Sequence, residues 1–419
     1  MPRECSSNEV GNLVRSIYEE RPYPRADRRR VERDPPLALA PVAWIGALWK
    51  PGHENLACKK ILIAGCGAGA EAFRMQRLQR SAEIVAVDFS PRSIAVAKQL
   101  QQARPERRAI QFQVADLAKP GLSKLLGQDF DFISCHGVLS YIPTPEVALR
   151  NLARCLRPDG ALYLGVNGAT HASVGLRQTL PAFGFDMNVM KDDDRHLRNV
   201  LRLCDSMRGR VGSIRVAKFT AELLAGDVFG PIISNLSLAR WVRIARRAGL
   251  HFRGSFHAWR AMRLVLAADS GRLLMPRSRA EICELADRMC PASFHRAVFT
   301  RELAANPPWD KPAALLSWRP TLTSLYRAGL PKRSRSWRRQ RTFALRSPAT
   351  NTRLDWCLPE WALEILRRSD GQQTLGAILA ALPIAVPSRL MRRHVYVLHQ
   401  LLVVTLVPGF SQPQHNDDG

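Results

Sequence analysis

Residues 59–70 read "KKILIAGCGAGA", an apolar run that breaks into glycines at 65, 67 and 69. Glycines at this spacing let a chain turn tightly. They also let a nucleotide approach the backbone at the positive end of the helix that follows. The run fits two patterns at once. Gly65, Gly67 and Ala70 match the dinucleotide turn G-x-G-x-x-G/A, while Gly65, Gly67 and Gly69 match G-x-G-x-G, the turn of an S-adenosylmethionine (SAM) site. Asp88 closes the next apolar run, "EIVAVD", 23 residues after Gly65, where a carboxylate accepts from ribose hydroxyls. Both nucleotides use such an aspartate, and a plain strand-end turn is its structural alternative. Asp116 ends a third run in "QVADL", and "FDFISCHGVLSYIP" follows at 130–143.

These side chains need a scaffold, and the surrounding pattern describes one. "KILIAG", "EIVAVD", "IQFQVAD", "FDFISCHG" and "ALYLGV" read as strands. "AEAFRMQRLQ", "PRSIAVAKQLQQA" and "PTPEVALRNLARCL" read as helices between them. This βαβα rhythm implies an α/β fold, a parallel sheet with helices on both faces. Residues 170–235 break the rhythm and read as a helical insertion in a domain spanning 51–270. The rhythm resumes with "SLARWVRIARRAGL", whose Leu238, Trp241, Val242 and Ala245 keep helical spacing. "HFRGSF" and "AMRLVLAA" then read as two strands joined by a short turn, hence antiparallel. Residues 1–50 form a lead-in carrying Tyr18 and Tyr23. Residues 271–346 combine a helical stretch, which includes "FHRAVFTREL", with a basic linker or arm at 331–346. Residues 347–419 read as helices closed by the strand "VVTLV", a C-terminal winged-helix-like module.

Taken together, "AGCGAGA", "VDFS", "VADL", "FDFISCHGVLSYIP" and "LRPDG" resemble a class I SAM-dependent methyltransferase over residues 55–168, with 237–268 completing its Rossmann-like sheet. "YEERPYP", "CHGVLSYIP" and "DVFGPIISNLSLARWVRIARRAGLHF" are similar to bacterial methyltransferases with an appended regulatory region, a group that includes protein-lysine methyltransferases. The resemblance implies SAM as cofactor. It implies a binding set of Gly65, Cys66, Gly67, Gly69, Asp88, Phe89, Asp116 and Leu117, with Asp116 accepting from the adenine amino group and Tyr18 and Tyr23 folding over the cofactor. One position departs from the pattern. The acidic residue often found two before the first glycine is Ile63 here, so the ammonium of the SAM methionine needs another acceptor.

Ligands of such sheets sit at the carboxyl ends of the strands. His136, Ser140 and Tyr141, in the segment after the fourth strand, are therefore the candidates for positioning the methyl acceptor, with Asn167 behind them. His136 reads either as a base or as a packed wall residue. An amine acceptor has to be neutral to react, and free lysine titrates near 10.4, so it would need desolvation or a base.

The bulk composition narrows the class further. A net charge of +26 suits an anionic partner, such as an acidic patch on a protein acceptor or a nucleic acid, although no nucleic-acid-binding motif occurs. The nine cysteines are scattered and unpaired by spacing, and no metal-ligand cluster is present, so the reading is a reduced, cytoplasmic protein. No apolar stretch is long enough to span a bilayer. The expected function is methyl transfer to a protein side chain of the lysine type or to a small molecule. The competing readings are a silent SAM-binding or nucleic-acid-binding protein, an RNA methyltransferase and an NAD(P) oxidoreductase.

Overall fold

The computed structural model describes residues 7–20, 39–50, 58–103, 109–185, 194–208, 220–221, 224–267, 277–303, 305–328, 332–338, 340–347 and 352–409. Tyr23 lies outside them. The chain divides into two compact units, one built from 1–39, 58–257 and 287–302, the other from 40–57, 258–286 and 303–419.

The first unit is a seven-stranded sheet in the order β3-β2-β1-β4-β5-β7-β6. Its strands are β1 (Lys60–Ala64), β2 (Glu83–Asp88), β3 (Gln111–Val114), β4 (Phe130–His136), β5 (Leu156–Asn167), β6 (His251–Ser255) and β7 (Phe294–Thr300). β1 to β5 run parallel. β7 runs antiparallel to both β5 and β6. The helices between the parallel strands are α2 (Ala70–Leu78), α3 (Pro91–Gln102), α4 (Leu122–Leu126) and α5 (Pro145–Cys155), preceded by α1 (Ser7–Glu20). The central strands are nearly all apolar because both faces of the sheet are covered. Asp131 is the acidic residue of β4. It is buried, but it accepts the backbone N–H groups of Lys59 and Lys60 at 2.7 and 2.9 Å and an Arg157 N–H at 2.8 Å, which offsets its desolvation.

The antiparallel closing strand is present, but it is not the expected one. Phe256–Ala267, which contains residues 261–267 of "AMRLVLAA", forms a helix. "FHRAVFT", expected to be helical, is β7 and pairs with β5 from Ala161↔Thr300 to Asn167↔Phe294. A short continuous apolar run has no period that separates a strand from a buried helix. "FHRAVFT" carries the aromatic and β-branched residues that favour a pleated surface.

The insertion after β5 is helical, as expected, with α6 (Ala172–Thr179), α7 (Asp194–Arg208) and a π-helical turn at Leu224–Val228. α8 (Leu238–Arg247) buries Leu238, Trp241 and Ala245 and leaves Arg240, Arg243, Arg246 and Arg247 exposed.

In the second unit, β8 (Trp318–Leu322) pairs antiparallel with the C-terminal strand β12 (Val404–Pro408). β9 (Arg327–Ala328), β10 (Gln340–Ser347) and β11 (Thr352–Pro359) make a separate three-stranded antiparallel sheet. The segment expected as a basic linker or arm thus supplies β10. Arg341 and Arg346 of that segment fall within β10, whose partner β11 begins a few residues further on, a hairpin that charge composition alone conceals. Helices at 360–367, 375–380 and 388–400 complete a C-terminal region of both helices and strands. Glu360 and Glu364 are fully buried on the first of these helices. Arg367 pairs with both, and Arg333 and Arg368 reach Glu364.

Candidate active site

Local sequence chemistry builds the site at the carboxyl ends of the strands. The glycine turn leaves β1 through three left-handed residues, Gly65 (φ 77°), Gly67 (φ 52°) and Gly69 (φ 90°). The amides of Gly65 and Cys66 both bond Val87 O, tying the turn to β2. Asp88 ends β2 and lies under the turn. Its carboxylate accepts the Gly67 N–H at 2.9 Å through one oxygen and the Ser90 N–H at 3.0 Å through the other. Burial raises the Asp88 carboxyl above its ordinary value, against the pull of those two amides. The Cys66 thiol is pushed well up by burial, so it is a packing group rather than a nucleophile.

Next to this turn lies a group that the sequence pattern did not single out. Glu71, in the first turn of α2, hydrogen-bonds the Ser134 hydroxyl on β4. Ser134 pairs in register with Ile63, the position that lacks the usual acid. Burial raises the Glu71 carboxyl to about 7, although the Ser134 bond and Arg74 oppose it. The carboxylate absent from β1 is thus delivered to the same level of the sheet from the following helix. The acidic residue six positions after Gly65 was its sequence signal.

α1 covers the ends of β2 and β3. The Arg15 guanidinium lies 3.7 Å from Asp116 and 5.7 Å from the Phe89 ring centroid. Tyr18 meets Phe89 edge-on at 5.9 Å. Asp116 also accepts the Ala118 N–H, and Leu117 is buried with its carbonyl bound by Asn151. Tyr18 reaches the other half of the site as well. With Val14, Ile17, Tyr141, Gly226 and Ile232 it lines a narrow cleft.

Tyr141 is the centre of that second half. It donates to Asp227 Oδ1 at 2.5 Å and accepts from Asn167 Nδ2 at 3.2 Å. Burial, with Asp227 and Tyr18 nearby, raises the phenol, so it stays protonated. Burial likewise raises the Asp227 carboxyl to about 6, with the Tyr141 bond opposing. The π-helical turn that carries Asp227 is pinned by Arg177, which donates to Val228 O and Gly230 O at 2.6 and 3.0 Å. Such turns recur at functional sites, because the widened helix re-aims one side chain.

The same region resembles known proteins. Residues 62–162 match the family described as a methyltransferase domain. Curated relatives include an uncharacterized protein of Synechococcus, 38% identical over 26% of this chain and 25% of its own length. They also include a ubiquinone biosynthesis O-methyltransferase of Pseudomonas fluorescens, 29% identical over 27% of this chain and 47% of its own length. The chain therefore spans between a quarter and about half of the lengths of these relatives. Among solved structures, PKMT2 from Rickettsia typhi shares the fold over 92% of this chain and 76% of that one, with a TM-score of 0.51 at 15% identity. Residues 62–162 are a class I SAM-dependent methyltransferase domain.

In this methyltransferase domain the residues expected to bind cofactor converge, apart from Tyr23, which lies outside the described residues. The acceptor candidates separate. Only Tyr141 faces the cleft. Ser140 is fully buried, and its hydroxyl accepts the Asn167 N–H at 2.9 Å, which fixes the segment after β4 against β5. The His136 ring stacks parallel to Tyr163 at 6.0 Å and packs against Phe294 at 4.9 Å. Gly165 leaves it room, since a Cβ there would sit 2.3 Å from His136 Nδ1. Burial and Arg296 lower the imidazole to about 3, so it stays neutral near pH 7, a wall residue beside β7. The group that motif reading missed is Asp227, which no spacing from the glycine turn marks.

Proposed function

We propose that the chain is an active SAM-dependent methyltransferase whose acceptor is a protein side chain of the lysine type or a small molecule. The observation that carries this reading is the closed pairing of the glycine turn with Asp88. That pairing leaves the second lone pairs of a fixed carboxylate at the ends of β1 and β2, the chemistry a ribose requires. Asp88 would hold the ribose and Asp116 the adenine amino group, with Phe89 beside the base and the Glu71–Ser134 pair receiving the methionine ammonium. SAM supplies an already activated methyl group. The protein's part is then to hold the acceptor in line with it, about 3–3.5 Å away, and to exclude water. The cover formed by α1, with Tyr18 touching both Phe89 and the cleft, provides that exclusion.

Calorimetry with S-adenosylhomocysteine tests the reading. The wild type should bind, and Asp88→Ala should weaken binding at least about tenfold, as loss of hydrogen bonds to a buried carboxylate requires. Unchanged affinity in the variant would place the ribose elsewhere. Stabilisation of the wild type by NAD but not by S-adenosylhomocysteine would sink the methyltransferase reading itself.

A further inference from the structure

We infer that Asp227, steadied by Tyr141, receives an amine acceptor in the methyltransferase cleft and takes its proton as the methyl group is transferred. This rests on the methyltransferase reading and narrows its acceptor to an amine. The first ground is position. Tyr141 follows β4 and Asn167 ends β5, so the Tyr141–Asp227–Asn167 cluster stands at the carboxyl ends of β4, the neighbour of β1, and of β5 beyond it. Tyr18 joins the two halves, touching Phe89 on one side and lining the cleft with Tyr141 on the other.

The second ground is chemistry. The cleft wall is apolar or aromatic, with Val14, Ile17 and Ile232 beside the two tyrosines. Two electron-rich rings in such a wall, with the Asp227 carboxylate bound to Tyr141 and next in sequence to the cleft's Gly226, fit a cationic ammonium and offer little to an anion. This local sign is opposite to the chain's net charge of +26. Long-range repulsion would hinder a lysine-type acceptor, and Asp227 supplies the attraction at short range. The same apolar wall lowers the ammonium pKa toward the range where a carboxylate can take its proton.

The third ground is construction. Tyr141 donates its only proton to Asp227 Oδ1, so the hydrogen bond fixes the carboxylate and leaves its other oxygen for the acceptor. Tyr141, from the segment after β4, is the group bonded to Asp227, and Tyr18 from α1 and neutral Asn167 from β5 lie around Tyr141. α6 brings Arg177 to this turn, but Arg177 is bound to the carbonyls of Val228 and Gly230. Asp227 titrates near 6, so it is ionised at neutral pH. Atoms balance simply. An N–H proton passes to Asp227, and the freed lone pair forms the N–CH3 bond as the S–CH3 bond breaks with its electrons left on sulfur.

The test uses the full chain, methyl-labelled SAM and whole-cell bacterial protein freed of small molecules. Labelled product is acid-hydrolysed and resolved as amino acids. The expected result is labelled methyl-lysine from the wild type, at a rate that rises with pH through about 6. Asp227→Asn should lose at least about a hundredfold in rate at neutral pH, as removal of a general base does, with S-adenosylhomocysteine affinity within about twofold of wild type by calorimetry. Carboxyl carbon NMR supplies a readout apart from turnover. A resonance missing from Asp227→Asn should titrate near 6, and Tyr141→Phe should move it upward by removing the bond that opposes burial. Base-labile label, or wild type that binds S-adenosylhomocysteine yet yields no methylated amine, overturns the amine assignment. Asp227→Asn with unchanged rate and pH profile overturns the role of Asp227. Failure of wild type to bind S-adenosylhomocysteine removes the underlying reading instead.

Discussion

Replacing Gly65 with alanine carries two costs that a second substitution separates. The first is conformational. Gly65 sits at φ 77°, where an L-residue with a Cβ costs about 1–2 kcal/mol. The second is steric, since the new Cβ would lie 2.2 Å from Val138 Cγ2 and 3.1 Å from Cγ1. Overpacking of that kind costs about 1–3 kcal/mol as the neighbour shifts. Gly65→Ala should therefore destabilise by about 2–5 kcal/mol, the sum of the two ranges. Val138→Ala removes both Cγ atoms, and the closest remaining contact is Val138 Cβ at 3.2 Å. In the double variant most of the steric part should vanish and the conformational part stay, a favourable coupling of about 1–3 kcal/mol. Urea unfolding of the four proteins in one buffer measures this cycle, with a common denaturant slope as the check on two-state behaviour. S-adenosylhomocysteine calorimetry on the same set shows whether the turn's shape or only its stability matters for binding. Strict additivity would mean that Val138 does not pack over the turn, and a neutral Gly65→Ala would mean that the turn is not left-handed there.

Glu71→Gln should weaken S-adenosylhomocysteine binding and flatten its pH dependence between about 6 and 8, measured by calorimetry at three pH values. Without ligand, the folded protein keeps a proton on Glu71 that the unfolded chain releases from 4.5 upward, so wild-type stability falls as pH rises through about 7. The same variant should then be more stable than wild type by about 1–3 kcal/mol at the alkaline end, with the gain gone at pH below 4.5, as urea unfolding would show. In the second unit, burial raises the Glu364 carboxyl, but the bonds from Arg368 and Arg367 outweigh it and hold the group below its ordinary value. Its stabilisation is present above that ordinary value and lost as pH falls through the lowered one. Glu364→Gln should cost about 1–3 kcal/mol at neutral pH, discounted for the exposure of Arg333 and Arg368, and the gap should narrow in acid.

The elements of the proposed cofactor half could be read from the sequence because they are local. A glycine turn and a strand-end aspartate are fixed by a few consecutive residues each, and the βαβ rhythm places them at one edge. The proposed acceptor half could not, because Asp227 lies 86 residues from Tyr141 and meets it only through the packing of the insertion. Glu71 lay in plain view, but its role depends on the β1–β4 register that sets Ser134 beside Ile63. The closing strand was misplaced for a different reason. "AMRLVLAA" has the composition of a buried strand with no alternation to settle its type, whereas β7 is fixed by its pairing with β5. His136 illustrates the limit of position alone: its place after β4 suggests a base, and only the stacked Tyr163 ring and the gap at Gly165 reveal a packed wall.

The order of the outer strands also sets a schedule for synthesis. β5 finds its second neighbour only in β7, and β6 has no other partner in the sheet. β7 ends at Thr300, 45 residues beyond Ser255 at the end of β6. At about 5–20 residues per second, a ribosome takes roughly 2–9 s to cross that interval. Throughout it β5, with its apolar run at 161–166, has an open edge, the kind of surface to which other nascent chains add. Slow codons between 256 and 293 would lengthen this exposure, so expression yield should respond to synonymous changes there even though the finished protein is unaltered.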